Sequence, residues 1–258
     1  MVDELFDVAG KVALVTGGTS GIGRMIAEGF VRRGVRTYIS ARSPAAVEAA
    51  AAEISAGGGS CVGIAADLTD PTAPEALIAA LRAHENRLDI LVNNAGVNAR
   101  GSIADVDAQI WDGVLDVNLR APFLLVRQAL PLLRAAASGQ AHASIINIGS
   151  IGGLHIPGWE AYPYGASKAA IHHLTRALAK TLGPDRIHVN AIAPGPFPSA
   201  RMDVTSEAIR RSIATYVPVN RAGTAEDAQG ACIFLASRAG AYVNGSTIAL
   251  DGGYIAAL

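Results

Sequence analysis

Seven short apolar runs alternate with segments of helical periodicity along this chain, and that alternation constrains the fold more than any other feature. The runs are KVALVTG (11–17), RTYIS (36–40), CVGIAADL (61–68), DILVNNAG (89–96), SIINIGS (144–150), HVNAIAPG (188–195) and STIALDGG (246–253). Most are continuously apolar, the pattern of strands covered on both faces. The segments between them, such as GIGRMIAEGFVRRG and AAVEAAAAEISAGGG, carry apolar residues at helical spacing and end in glycine. Strands alternating with helices predict an α/β fold, a doubly wound parallel sheet of seven strands. No linker, repeat or low-complexity break interrupts it, so residues 1–258 are read as one domain.

Half of the residues are apolar and 17% are charged, which supplies a large core. The net charge is −1 with both signs dispersed, so nothing tracks a phosphate backbone and nucleic-acid binding is not expected. Cys61 and Cys232 stand apart, without CxxC or a histidine at metal spacing, which argues against a disulfide or a metal site. Sparse cysteines, and an N-terminal MVDELFDVAGK without the apolar centre of a secretory signal, lead to the expectation of a cytoplasmic protein. The uncharged run from Ala135 to Trp159 is long enough to span a bilayer. Its glycines, serines and proline divide it into a strand and a loop, so no membrane segment is expected.

Ligands of such sheets sit outside the carboxyl ends of the strands. Those ends read Gly-Gly-Thr-Ser-Gly-Ile-Gly, Ala-Arg-Ser, Asp-Leu, Asn-Asn-Ala-Gly, Ile-Gly-Ser and Ala-Pro-Gly, which puts small and hydrogen-bonding residues on one edge. The first, TGGTSGIG (16–23), follows a strand and opens a helix. Glycines there let backbone N–H groups approach a pyrophosphate, which a helix N-terminus favours. The second end selects the cofactor. An acid roughly 20 residues after the glycines would bind the ribose 2′-hydroxyl of NAD. This chain has Ala41 and then Arg42, whose guanidinium suits a 2′-phosphate that an acid would repel. NADP(H) is therefore expected in preference to NAD(H).

The stretch AYPYGASKAAIHHL (161–174) places Tyr164 and Lys168 four residues apart, on one face of a helix. This composition would produce Tyr-x-x-x-Lys only about 0.07 times by chance. A free phenol, with a pKa near ~10, is a poor acid at neutral pH, and a neighbouring ammonium favours the phenolate. Tyr162 cannot take that part, because Ala166 lies four residues on.

Together, the TGxxxGxG turn at 16–23, Asn93-Asn94-Ala95-Gly96, Asn118, Ser150, Tyr164-x-x-x-Lys168 and Pro194-Gly195 resemble the short-chain dehydrogenase/reductase family, in its order and approximate spacing over essentially the whole chain. IINIGS (145–150), YGASKAA (164–170) and IAPGPFPSARM (192–202) bring it nearest to the bacterial NADPH-dependent 3-oxoacyl reductases linked to rhamnolipid and polyhydroxyalkanoate precursors. The resemblance implies a Rossmann-type fold, a homotetramer or homodimer, and catalysis by Asn118, Ser150, Tyr164 and Lys168. It implies cofactor contacts from Gly17, Thr19, Ser20, Gly21, Ile22, Gly23, Arg42, Ser43, Asp67, Leu68, Asn94, Ala95, Gly96, Tyr164, Lys168, Pro194, Gly195 and Phe197, with Asp67 at the adenine, and no metal. Tyr164 would give a proton to the substrate oxygen, Ser150 would steady that oxygen, and Asn118 would fix a water that relays protons to Lys168. The chain departs from the family pattern at three places. Ser20 stands where many NADPH members have a basic residue, so Arg42 bears more of the phosphate recognition. One extra residue separates Ser150 from Tyr164, and Ser199 takes the place of a commoner threonine.

The favoured reaction is reduction of a ketone or 3-oxoacyl carbonyl, a small-molecule substrate. An NAD(P)-dependent alcohol, polyol or steroid dehydrogenase working oxidatively would share the same residues. A catalytically silent nucleotide-binding regulator would have lost some of the quartet, which is intact. Residues 196–221 form a long connection at the active edge and read as a lid, with Met202, Ile209, Ile213 and Tyr216 as its apolar face. Trp159 and His155 are expected at the substrate mouth or over its outside, and His172 and His173 at the surface or an interface. RAAASGQAHAS and TLGPDR offer only Arg134 and Arg186 to an acidic partner, so coenzyme A or no carrier is expected rather than acyl carrier protein.

Overall fold

The apolar runs become the strands of one sheet in the computed structural model, which describes residues 4–139, 141–156, 158–199 and 202–257. They are β1 (Val12–Thr16), β2 (Arg36–Ala41), β3 (Cys61–Ala65), β4 (Ile90–Asn93), β5 (Ala143–Ile148), β6 (Ile187–Pro194) and β7 (Thr247–Leu250). All pair in parallel, in the order β3-β2-β1-β4-β5-β6-β7, as the alternation predicts. The chain starts at the centre, winds outward to β3, then returns to place β4 on the other side of β1. That reversal opens a crevice between β1 and β4 at their carboxyl ends.

The helices are α1 (Gly21–Arg32), α2 (Pro44–Ser55), α3 (Ala73–Arg82), α4 (Ala108–Leu115), α5 (Ala121–Ala136), α6 (Tyr162–Leu182), α7 (Glu207–Tyr216) and α8 (Ala225–Ala236). Strand side chains alternate between two cores. Ala13, Val15, Ile90, Val92 and Ile146 pack toward α1, α2 and α8, while Val12, Leu14, Leu91 and Ile145 pack toward α3, α5 and α6. Both faces are covered, which explains why β1, β4 and β5 are largely apolar and fully buried. The edge strands β3 and β7 are only partly buried. The apolar runs overshoot the strands at their carboxyl ends: the third stops at Ala65, the fourth at Asn93 and the fifth at Ile148. The excess residues are the loops of the crevice.

The sequence 196–221 contains α7, and its Ala200 and Arg201 lie outside the described residues, as do Gln140 and Pro157 of the uncharged run. Among the described residues no helix is long and apolar enough to cross a membrane, and no three His, Cys, Asp or Glu side chains group to hold a metal ion.

The amino edge of the sheet buries a second set of polar groups. His142 stacks on His188 with ring centres 4.6 Å apart and planes 21° from parallel. Lys11 Nζ donates to the Ala236 carbonyl at 2.7 Å nearby in the same edge. Burial, with the charges of Lys11 and His188, pushes the His142 imidazole down to about 4. The fold therefore favours neutral His142: its contribution is complete above about pH 6.5 and is lost as the pH falls through about 4, up to about 3 kcal/mol. His142→Phe keeps the stacked ring without the titration. Thermal melts of this variant are expected to lose less stability than the parent between pH 6.5 and 4; parallel losses would assign the acid sensitivity elsewhere.

Candidate active site

The crevice begins at the glycine turn between β1 and α1. Gly17 and Gly21 have φ of +65° and +54°, a region that L side chains rarely adopt. At Gly23 a methyl group would lie 2.3 Å from Asn94 Nδ2 and 2.4 Å from the Gly17 carbonyl oxygen. Only a hydrogen at that position lets the first turn of α1 sit on the β4 loop. Asn94 occupies the space, donating to the carbonyls of Thr16 (2.9 Å) and Gly17 (3.1 Å). Thr16 Oγ1 reciprocates by accepting from the N–H groups of Asn94 and Ala95, both at 3.0 Å. The turn is thus built from side chains beneath it. Ser20 is the N-cap of α1, yet its hydroxyl makes no capping hydrogen bond. The first-turn amides remain available to an anion.

Beyond the glycines, Ala41 pairs in register with Ala65, and the Ala66 N–H extends that ladder to the Ala41 carbonyl at 2.8 Å. Arg42 and Asp67 therefore leave adjacent strands side by side, and both are exposed. Arg42 makes no ion pair among the described residues. Ser43 caps α2 through the Ala46 N–H. Asp67 Oδ1 accepts from the N–H (3.1 Å) and hydroxyl (2.9 Å) of Thr69, which fixes the turn after β3. Two expected contacts differ in kind from the others. The side chains of Leu68 (7% exposed) and Phe197 (4% exposed) belong to the two cores, and Phe197 lies against Gly223, where a methyl group would approach its ring to 2.2 Å. Only the backbone of these two residues can line the cleft. Gly195 permits the loop after β6 to press against Asp251, whose Cα would lie 2.8 Å from a methyl group there.

The four residues expected to be catalytic, Asn118, Ser150, Tyr164 and Lys168, lie near the ends of β4 and β5. A π-helical turn, Asp116–Arg120, joins α4 to α5 and carries Asn118 inward. Its carboxamide accepts from the Val97 N–H (2.8 Å) and donates to the Val97 carbonyl (2.9 Å) and to Ser167 Oγ (2.9 Å). Asn118 thus clamps the β4 loop to α6, a role the sequence does not announce. Gly96 sits in the gap, where a methyl group would lie 3.3 Å from Asn118 Oδ1 and 3.6 Å from Lys168 Nζ. Lys168 is 5% exposed and donates to the Ile148 carbonyl at 2.8 Å. Its Nζ lies 5.7 Å from the centre of the Tyr164 ring, and burial pulls its pKa down to about 8. Ser150 Oγ and Tyr164 Cε1 flank Gly152, at 3.5 and 3.7 Å from the position its methyl group would take. The turn Ile151–Gly153 rests on α6 because Gly153 has no side chain to strike the Lys168 backbone 2.5 Å away. The connection lengthened by one residue is exposed over 158–160, away from this contact.

His172 departs from expectation. It is buried, 5% exposed, behind Gly149, where a methyl group would meet its Nε2 at 2.0 Å. Burial and the charges of Lys168 and Arg176 push the imidazole down to about 4. The adjacent His173 is exposed, because consecutive helical residues point in different directions. At the mouth, the Trp159 ring lies 6.2 Å from that of Tyr164. His155 lies 5.3 Å from Tyr254, which lies 5.8 Å from Tyr216. Tyr254 and Arg100, whose guanidinium stacks on Trp159, have no sequence signal beyond their loops.

Comparison with known proteins matches this arrangement along the chain. The family model described as Enoyl-(Acyl carrier protein) reductase matches residues 17–255. The chain is 42% identical over 251 residues to the rhamnolipids biosynthesis 3-oxoacyl-(acyl-carrier-protein) reductase of Pseudomonas aeruginosa, covering 96% of this chain and 98% of that protein. It is 37% identical over 256 residues to the 2-dehydro-3-deoxy-D-gluconate 5-dehydrogenase of Pseudoalteromonas atlantica, covering 98% of each. Among solved structures it is similar to the Pseudomonas aeruginosa RhlG/NADP active-site complex, with a TM-score of 0.93 and 42% identity over 98% of this chain and 99% of that one.

The buried ammonium of Lys168 has a cost that can be measured. Lowering its pKa from 10.5 to about 8 disfavours the charged form by about 3 kcal/mol. Lys168→Met removes that cost but leaves the Ile148 carbonyl unpaired, which returns about 1–3 kcal/mol. The ligand-free variant is expected to melt no lower than the parent at pH 7. Between pH 8 and 10.5 the unfolded parent holds the extra proton, so the parent gains stability with rising pH and any advantage of the variant shrinks. Melting well below the parent at pH 7 would mean that the ammonium stabilises the fold.

Proposed function

The chain belongs to the short-chain dehydrogenase/reductase family of oxidoreductases, and we propose that it uses NADPH to reduce a ketone or 3-oxoacyl carbonyl to a secondary alcohol. The observation that carries this reading is that Ser150 Oγ and the Tyr164 ring edge both approach Gly152, at 3.5 and 3.7 Å from where its methyl group would lie, with the Lys168 ammonium 5.7 Å from the phenol ring centre. Two hydroxyl-bearing side chains brought together suit the oxygen of a C=O, which becomes anionic as its carbon is reduced.

NADPH supplies the hydride that the carbonyl carbon receives. The glycine turn braced by Asn94, the uncapped first turn of α1 and the unpaired Arg42 fit its pyrophosphate and 2′-phosphate. Asp67 stands beside Arg42 at the adenosine end. Tyr164 donates its phenolic proton to the developing alkoxide, and Ser150 hydrogen-bonds the same oxygen. Lys168, charged below about pH 8, stabilises the phenolate that Tyr164 becomes. Asn118 keeps the β4 loop and α6 in register around that pair, and the water relay toward Lys168 is part of the same reading.

Arg134 and Arg186, the cations that would meet an acidic carrier, are engaged elsewhere. Arg134 pairs with Asp185 at 2.8 Å, and Arg186 donates to the carbonyls of Gly139 and Ala137. This favours a free or coenzyme A-bound substrate over one bound to acyl carrier protein. The exposed groove between α5 and α6, lined by Leu119, Phe123, Leu174 and His173, suits the packing of a homotetramer or homodimer.

A panel of ketones and 3-oxoacyl thioesters, assayed by loss of reduced-nicotinamide absorbance, tests the reaction. Tyr164→Phe is expected to lower turnover by about 10²–10⁴-fold while leaving the NADPH dissociation constant nearly unchanged. Retention of more than about a tenth of the turnover would remove Tyr164 as the acid. Arg42→Ala is expected to weaken NADPH use by roughly 10- to 100-fold with little effect on NADH. Equal efficiency of the parent with both cofactors would overturn the assignment of the 2′-phosphate to Arg42.

A further inference from the structure

Two loops at the rim of the crevice are joined in a way that the mechanism above does not use. The loop after β4 carries Arg100 and the loop after β5 carries Trp159, and the Gly101 N–H donates to the Glu160 carbonyl between them at 3.3 Å. The Arg100 guanidinium carbon lies 4.4 Å from the centre of the Trp159 ring, which is itself 6.2 Å from the Tyr164 ring. A cation therefore stands one aromatic ring beyond the proton donor. Arg100 is exposed and makes no ion pair among the described residues. The carboxylate on the facing loop, Glu160, instead accepts from the Tyr162 hydroxyl at 2.8 Å. The cation–π contact holds the guanidinium over the indole, and with no ion pair among the described residues its N–H groups can meet an anion.

We infer that Arg100, held on Trp159, is a specificity-determining residue that binds an anionic group carried by the substrate beyond its carbonyl, and that the substrate is a small oxo acid. This rests on the reading of Tyr164 as the acid at the substrate oxygen. Arg100 lies over Trp159, the ring next to Tyr164, a placement that suits a carboxylate carried on the same small molecule as the carbonyl. The nearest phosphate of a coenzyme A thioester lies at the far end of a pantetheine arm, beyond the reach of this cation. Trp159 covers the aliphatic segment between the two ends, and the bond to Arg100 is open to solvent and to salt screening.

The test compares the NADPH-dependent reduction of levulinate, its homologue longer by two methylenes, the methyl esters of both, and acetoacetyl-coenzyme A. Arg100→Gln is expected to raise KM for the acids about tenfold at nearly constant kcat, leaving the esters and the NADPH dissociation constant as in the parent. High salt is expected to erode the preference of the parent for acid over ester. Equal losses on acids and esters, or a parent that takes both alike, would overturn the inference while leaving the reductase reading intact. A larger loss on acetoacetyl-coenzyme A than on the acids would overturn the oxo acid in favour of a carrier phosphate. If no substrate turns over, the reductase reading fails, and calorimetric binding of levulinate to the NADP⁺-loaded proteins decides. Tighter binding to the parent than to Arg100→Gln upholds the site, and equal binding overturns it.

Discussion

The crevice depends on carboxamides that close the hydrogen-bond accounts of strands where they end. A parallel ladder stops at the carboxyl edge, and each loop leaving it carries backbone groups that need partners without water. A carboxamide can donate and accept at once. Asn118 uses both capacities on one residue, Val97, and a further donor on Ser167. Asn94 holds two carbonyls of the glycine turn. Asn93 donates to Asn147 in the pair that closes the β4–β5 ladder, and Asn147 passes the bond to Thr175 of α6 at 2.9 Å. An aspartate at these positions could only accept, and a leucine could do neither. Asn94 and Asn118 satisfy backbone groups, while Asn93 and Asn147 bond side chain to side chain and tie β4 and β5 to α6, the helix that carries Tyr164 and Lys168.

Against that rigid floor, Lys168 is the component that the fold tolerates at a cost. Its ammonium donates to the Ile148 carbonyl at 2.8 Å, and burial works against its charge. A second cation next to it would make matters worse. His172 lies behind Gly149 with its pKa lowered by burial and by Lys168 itself, so it stays neutral where Lys168 is charged. The missing side chain at Gly149 is what lets the imidazole come so close. This neutral ring packs beside the ammonium without adding a second positive charge. Stability is thereby exchanged for a positioned charge, a pattern that perturbed groups at functional sites share.

Most of this was legible in the sequence because its signals are local. Continuous apolar runs report burial on both faces, so the sheet, its strand count and its active edge followed from pattern alone. The glycine turn and the Tyr164–Lys168 pair have fixed spacing, and the structure brings them to the same edge. What the sequence hid depends on neighbours far apart in the chain. His172 shares a helix with the exposed His173, and only the approach of Gly149, on a different element, decides which of the two is buried. Leu68 and Phe197 follow cofactor-edge motifs, yet a turn of the backbone sends their side chains into the cores. Arg100 acquires meaning only because Trp159, on another loop, lies under it. Side-chain direction after a strand ends is set by tertiary packing, and no periodicity encodes it.

The rim also changes how movement over the site should be understood. The apolar members of 196–221 do not form a free flap. Ile213 and Val217 are buried, Met202 and Ile209 are partly buried, and Tyr216 remains 43% exposed. Past α7 the chain is tied to the C-terminal turn: the Val219 N–H donates to the Gly252 carbonyl at 3.2 Å, and Val217 fills the space where a methyl group on Gly252 would fall. Tyr216 reaches Tyr254, and Tyr254 reaches His155 on the loop that holds Trp159. Asp251 in turn accepts from the Gly253 and Ile255 N–H groups, both at 2.9 Å, and so fixes the turn that presents Tyr254. Displacing α7 therefore requires breaking aromatic contacts that run through the C-terminal turn to the β5 loop. Access to the crevice and the placement of its rim residues are coupled through one chain of rings.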